Sequence, residues 1–111
     1  MNVQRHLNIV SSLEQEDVER LASFFNAIGN SIRLKILLTL QQTRRPLHIK
    51  AISEQLGVDY AAIYRHVKLL EAAGFIEIFE VGRSRVLSLT PRAPVDQLIK
   101  LAQATFSNNY D

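Results

Sequence analysis

Cysteine and tryptophan are absent from the 111 residues, and there are only three prolines and four glycines. Without cysteine there can be no disulfide, no thiolate metal ligand and no thiol redox chemistry. No apolar run approaches the ~20 residues that span a bilayer, so no membrane partner is expected. The first ten residues include Asn2, Gln4, Arg5, His6 and Asn8 and lack the apolar centre of a secretory leader. A cytoplasmic location is the expectation. Glycine-rich phosphate loops, G-x-S-x-G and H-E-x-x-H are all missing. His6, His48 and His66 fall on separate elements, without the close spacing that gathers metal ligands. Neither catalysis nor a cofactor is expected.

Hydrophobic residues make up 47% of the chain, as in ordinary globular proteins. The length suits one domain with a modest core. Net charge is only +2, but it is unevenly spread. Residues 1–30 carry −2, residues 31–92 carry +5 and residues 93–111 carry −1. A basic centre between mildly acidic ends suits contact with a polyanion.

Ser11 and Ser12 resemble helix caps, each followed three residues later by Glu14 or Gln15. Leu13, Val18, Leu21, Phe25 and Ile28 then recur at helical spacing, predicting a helix over 13–28. Ser31 is expected to cap a second helix over 32–42, whose buried stripe is Ile32, Ile36, Leu37 and Leu40. Arg33 and Lys35 are its polar partners. Arg44-Arg45-Pro46 breaks that helix. A short third helix is expected over 48–56, burying Ile49, Ile52 and Leu56 and ending at Gly57. Asp59 can cap a fourth, which runs to Ala73. The period then changes. Phe75 to Val81 and Val86 to Leu89 read as two strands joined through Gly82-Arg83-Ser84, a β-hairpin. A last helix over 95–106 follows Pro91 and Pro94.

The order from Ile49 to Leu89 is that of a helix-turn-helix followed by a basic-tipped wing. The fourth helix carries two stripes. Ile63, Val67 and Leu70 form a core face. Ala61, Tyr64, Arg65 and Lys68 form the other, centred roughly 140° away on a ~100°-per-residue wheel. Small residues let a helix lie deep in the major groove, where a methyl can meet the thymine methyl. Arg65 can reach guanine or phosphate, and Lys68 phosphate. The competing reading makes this stripe a solvated surface, with Arg65 paired to Glu71 or another carboxylate. For His66, a structural place at the edge of the core is the simpler role, and for His48 a place at the polar start of the third helix.

Asn30-Ser31-Ile32-Arg33-Leu34-Lys35-Ile36-Leu37 resembles the N-P-x-R-L-x-I-L opening of the second helix in the ArsR family. Leu56-Gly57-Val58-Asp59 through Tyr64-Arg65-His66-Val67-Lys68-Leu69-Leu70 to Ala73-Gly74-Phe75-Ile76 resembles that family's L-G-L-S…S-R-H-L-K-x-L…A-G-L-V signature. Val81-Gly82-Arg83 stands where the family has x-G-R at the wing. The resemblance covers residues 28–90. It implies a mainly α fold with a small β-hairpin, a winged helix-turn-helix of order α-α-α-α-β-β-α. It also implies a homodimeric transcription regulator that binds a palindromic double-stranded DNA operator. The implied DNA-binding residues are Tyr60, Ala61, Ala62, Tyr64, Arg65, His66, Lys68, Arg83, Ser84 and Arg85. Tyr60, Ala61, Ala62 and Tyr64 stand where the family usually has serine or threonine, so no operator preference carries over. The metal-sensing C-x-C positions fall on His48 and Lys50, and no histidine lies between Pro94 and Asp111, so no metal response is implied.

The resemblance further implies dimerisation through the two end helices. Leu13, Leu21 and Phe25, with Leu98, Leu101 and Phe106, supply more apolar surface than the central unit needs. The alternative is that both helices only cap the core of a monomer. The expected organisation is one domain, residues 1–111. Within it, 1–30 and 93–111 supply dimerisation helices and 31–92 the DNA-binding core and wing. A protein-docking winged-helix module and a small-molecule-responsive regulator remain as alternatives, the effector being unknown.

Overall fold

The computed structural model describes residues 13–109, with side chains through residue 107. His6, Ser11 and Ser12 lie outside the described residues. The described chain runs α1 (Gln15–Ile28), α2 (Ser31–Thr43), β1 (Leu47–His48), α3 (Ile49–Leu56), α4 (Tyr60–Ala72), β2 (Ile76–Val81), β3 (Ser84–Leu89) and α5 (Val95–Asn109). This is a mainly helical winged helix-turn-helix with one antiparallel sheet, ordered β1-β3-β2.

Several boundaries depart from the sequence reading: Ser84, expected in the hairpin turn, opens β3, and α5 runs on to Asn109. The first helix starts later, with Glu14 at its N-cap; the Glu14 amide donates to Asp17 Oδ2 at 3.4 Å. In α2 the cap is Asn30, not Ser31. Asn30 is extended, and its Oδ1 accepts from the amides of Ile32 at 2.9 Å and Arg33 at 3.1 Å. That closes two of the amides a helix start leaves unpaired. The hairpin also gains a third strand. Leu47 pairs with Leu87 and His48 with Val86, so His48 ends a strand as well as standing at the N-cap of α3.

Caps elsewhere follow local chemistry. Gly57 ends α3 in the left-handed region at φ 67°, where a side chain would add strain. At the end of α4, Gly74 (φ 87°) donates to the Glu71 carbonyl, and Phe75 donates to that of Leu70, both at 3.0 Å. This is the Schellman arrangement, and it turns the chain sharply into β2.

The core is built from Ile36, Leu37 and Leu40 of α2, Ile49 and Ile52 of α3, and Ile63, Val67 and Leu70 of α4. Phe75, Ile76, Leu87 and Val95 complete it. Only the start of α5 joins this core, where Val95 is buried and Leu98 and Ile99 pack against it.

Arg33 is the unexpected member. It lies one turn before Ile36 and Leu37 on the same face of α2 and is only 8% exposed. Its Nε donates to the Ala27 carbonyl and its Nη2 to that of Asn26 at 3.0 Å. Those carbonyls belong to the last turn of α1, which has no basic residue of its own. The guanidinium thus meets the negative end of a helix dipole, pairs the Ala27 carbonyl and adds a second donor to that of Asn26, which also accepts from the Gly29 amide at 3.2 Å. Its Nη1 lies 3.1 Å from His66 Nδ1 on α4. Arginine has only donors, so Nδ1 accepts and the ring proton sits on Nε2. Burial, then the charges of Arg33 and Arg65, push the His66 pKa below its ordinary 6.5 and keep the ring neutral.

Replacing Arg33 by Met should cost about 2–3 kcal/mol, because the Ala27 carbonyl and His66 lose their donor and the Asn26 carbonyl loses one of two. Urea unfolding should show a lower midpoint at unchanged slope; an unfolding free energy within ~0.5 kcal/mol of wild type would refute this role for Arg33.

His66 predicts the sign of a pH effect. Below pH 6.5 the unfolded chain takes up a proton that the folded ring resists, so stability is full above that value and falls as pH drops toward the lowered folded pKa. His66→Asn keeps an acceptor for Arg33 but cannot titrate. Unfolding midpoints at pH 7.5 and 5.5 should converge in this variant relative to wild type, and identical pH losses in both proteins would show that His66 does not carry the effect.

Candidate nucleic-acid interface

The two helices of the motif are joined by a turn with little freedom. After Gly57 the Val58 amide donates to the Ser53 carbonyl at 3.1 Å, and the Ser53 hydroxyl donates back to the Val58 carbonyl. Asp59 then starts α4, its Oδ1 accepting from the Ala62 amide at 3.0 Å. These bonds fix where α4 begins relative to α3.

The rotation of α4 about its axis is set by burial. Ile63, Val67 and Leu70 are fully buried, so the residues between them must face outward. Ala61, Arg65 and Lys68 are exposed, and Tyr60, at the first position of the helix, is also exposed. Ala62 and Tyr64 are half-buried at the flank, Tyr64 packing against the core. His66 is half-buried and turned toward Arg33 on the side of α1 and α2. Of the residues singled out on this helix, His66 and Tyr64 are the ones already engaged by the protein's own interior.

The charges on the exposed stripe differ in their partners. Lys68 Nζ lies 2.8 Å from Glu71 Oε1, and this bond, with the carboxylate's charge, raises the Lys68 pKa. Glu71 is therefore taken by Lys68. Arg65 makes no ion pair among the described residues. An exposed pair of this kind is worth little and yields readily to a better anion.

The wing rises beside α4. Strands β2 and β3 pair from Ile76 with Leu89 to Val81 with Ser84, leaving Gly82-Arg83 as a two-residue turn. Gly82 takes φ 63°, as a glycine in the first place of such a turn does. Arg83 is exposed at the tip, and Ser84 is half-buried behind it. Arg85 points the other way. It pairs across the hairpin with Glu80, and its guanidinium carbon lies 4.4 Å from the centre of the Tyr64 ring. A hydrogen bond to the Tyr60 hydroxyl raises the Arg85 pKa further.

Sequence spacing missed both arginine contacts with the protein itself. For Arg33 the signal was present, since 33, 36, 37 and 40 share one helical face. For Arg85 there was none, because its contact with Tyr64 joins a strand to a helix 21 positions away.

The apolar surfaces of the end helices are open. Leu13, Leu21 and Phe25 are 46%, 46% and 55% exposed, and Leu101 and Phe106 are 67% and 58% exposed. Leu98 differs, being half-buried against the core. Among the described residues no three His, Asp or Glu side chains converge as a metal would require. No described helix is long and apolar enough to cross a membrane.

Residues 32–83 match a family model described as an HTH domain. The chain is 32% identical over 84 residues to an uncharacterized HTH-type transcriptional regulator of Sulfolobus spindle-shape virus 1, covering 72% of this chain and 73% of the relative. Among solved structures it is similar to the homodimeric winged helix-turn-helix DNA-binding domain of a possible ArsR-family transcriptional regulator from Mycobacterium bovis. That match has 22% identity and a TM-score of 0.68, covering 84% of this chain and 83% of that one. A transcriptional regulator homologue from Pyrococcus horikoshii superposes equally well, with 23% identity and a TM-score of 0.68 over 81% and 96% of the two chains. These relatives are all described as transcriptional regulators or possible ones. The chain belongs to the HTH-type transcriptional regulators and has the winged helix-turn-helix fold.

Proposed function

We propose that the protein binds a palindromic duplex operator as a homodimer, with α4 in the major groove and the tip of the wing against the sugar-phosphate backbone, and that it does so without a metal signal. The observation that carries this reading is the exposed stripe of α4. Its small and cationic residues, Ala61, Arg65 and Lys68, face solvent because the opposite stripe is fully buried. A methyl group beside an unpaired guanidinium suits a base-edge contact, and Lys68 can exchange Glu71 for a phosphate. Arg83 stands free at the wing tip, where it suits phosphate.

The open faces of α1 and α5 support the dimer, since large apolar side chains exposed together mark an interface. The similar Mycobacterium bovis domain is described as homodimeric. A two-fold protein matches half-sites about one helical turn apart. Without cysteine, a thiolate metal-sensing site cannot form.

Operator selected from a random DNA pool should show affinity falling steeply with salt, with a log–log slope of roughly −5 to −9 if each subunit neutralises three to five phosphates. Arg65→Ala should cost ~1–3 kcal/mol on operator and less on random duplex. Arg83→Ala should weaken both alike and flatten the slope by about one per subunit. Equal losses on the two DNAs for Arg65→Ala would demote it to a phosphate anchor.

Leu101→Glu is the clean probe of the dimer, because Leu101 is exposed whereas Leu98 is committed to the core. Sedimentation should show a monomer with its helical signal intact and operator binding greatly weakened. A wild type that sediments as a monomer would end the dimer model.

A further inference from the structure

The distal wing has almost nothing beneath it. From Phe79 to Arg85 no residue belongs to the hydrophobic core, and Phe79 and Val81 are 45% and 58% exposed. A two-stranded ribbon of this length is marginal without a surface to rest on. Arg85 links this part of the wing to α4, its guanidinium lying over the face of Tyr64 and hydrogen-bonded to the Tyr60 hydroxyl. Tyr64 is itself packed against the core, so the line of support runs from the core through Tyr64 and Arg85 to the hairpin. Glu80 stands opposite Arg85 on β2, on the same face of the ribbon, and favours the same placement of the cation.

We propose that Arg85 is a positioning residue, a brace that stacks on Tyr64 to hold the wing at a fixed distance from the recognition helix, and that it is not a phosphate ligand. The proposal rests on the DNA-binding mode set out above and deepens it. Arg83 at the tip and Arg65 on α4 sit on different elements. Their spacing on a duplex is fixed only if the wing is fixed to the helix. The brace supplies that, and it removes Arg85 from the set of residues that sequence alone would send to the backbone. Guanidinium and aromatic face are well matched here, since a planar cation stacks where an ammonium cannot.

The test has one arm without DNA and one with it. In the free protein, nuclear magnetic resonance should find the Arg85 Cδ protons shifted upfield by the Tyr64 ring. Tyr64→Phe should keep that shift and Tyr64→Leu should abolish it, with both variants checked for wild-type melting. In DNA titrations, Arg85→Gln should lose roughly two- to fivefold in operator affinity per subunit. The salt slope should stay at the wild-type value, unlike that of Arg83→Ala. In a Tyr64→Leu background Arg85→Gln should cost clearly less, whereas in Tyr64→Phe it should cost its full amount.

Flattening of the slope by about one per subunit in Arg85→Gln, with the same loss in the Tyr64→Leu background, would make Arg85 a phosphate anchor and overturn the proposal. Unshifted Cδ protons in a folded wild type would overturn it as well. Failure of the wild-type protein to bind any duplex would instead sink the function proposed above, and the free-protein arm would still decide whether the brace exists.

Discussion

A buried guanidinium with no carboxylate among its hydrogen-bond partners holds the helical part of this molecule together. Arg33 sits on the inward face of α2, and its charge is met by two carbonyls at the end of α1 and by the ring of His66 on α4. Desolvating a cation is costly unless every donor finds an acceptor. Here one acceptor is the Ala27 carbonyl at the end of α1, which the helix terminus leaves open, and the Asn26 carbonyl and His66 ring supply the others. The consequence is geometric. α1, which carries the open apolar side chains of Val18, Leu21 and Phe25, and α4, which carries the exposed basic stripe, are tied to the same side chain.

That coupling bears on how a regulator of this type is assembled. The recognition helix takes its rotation from Ile63, Val67 and Leu70, its start from Asp59 and its far end from the turn at Gly74. None of the three apolar residues faces outward. Specific reading of a groove requires the helix to be held within a fraction of an ångström while its outward residues vary. The buried stripe and the caps supply the rigidity, so the exposed stripe can be Ala-Arg-Lys here with no cost to the fold.

The wing is organised differently. It is an antiparallel ribbon whose base is pinned by Leu87, by Ile76 and by the short β1, and whose tip extends past the core. Polar and cationic contacts take over where apolar burial ends, with Arg85 against Tyr64 and opposite Glu80. Such contacts are weaker than core packing. The wing can therefore yield locally without disturbing the helices.

The sequence by itself determined the order of elements, the helix-turn-helix and the hairpin, because each rests on local signals. Helical period, the caps at Asp59 and Gly57 and the glycine turn at Gly82 act within a few residues of one another. It also showed which face of α4 is core, since Ile63, Val67 and Leu70 repeat at one spacing. It missed the start of α1 and the cap of α2 by a residue or two, where neighbouring polar side chains compete for the same amides. The tertiary structure alone decided three things. Arg33 is interior and not surface, because the carbonyls that accept its protons come from another helix. β1 exists only by pairing with β3, a contact nearly 40 residues distant that no local period encodes. Arg65 and Lys68 look alike in sequence, yet Glu71 engages Lys68 and leaves Arg65 open, a choice made by side-chain geometry on the folded helix.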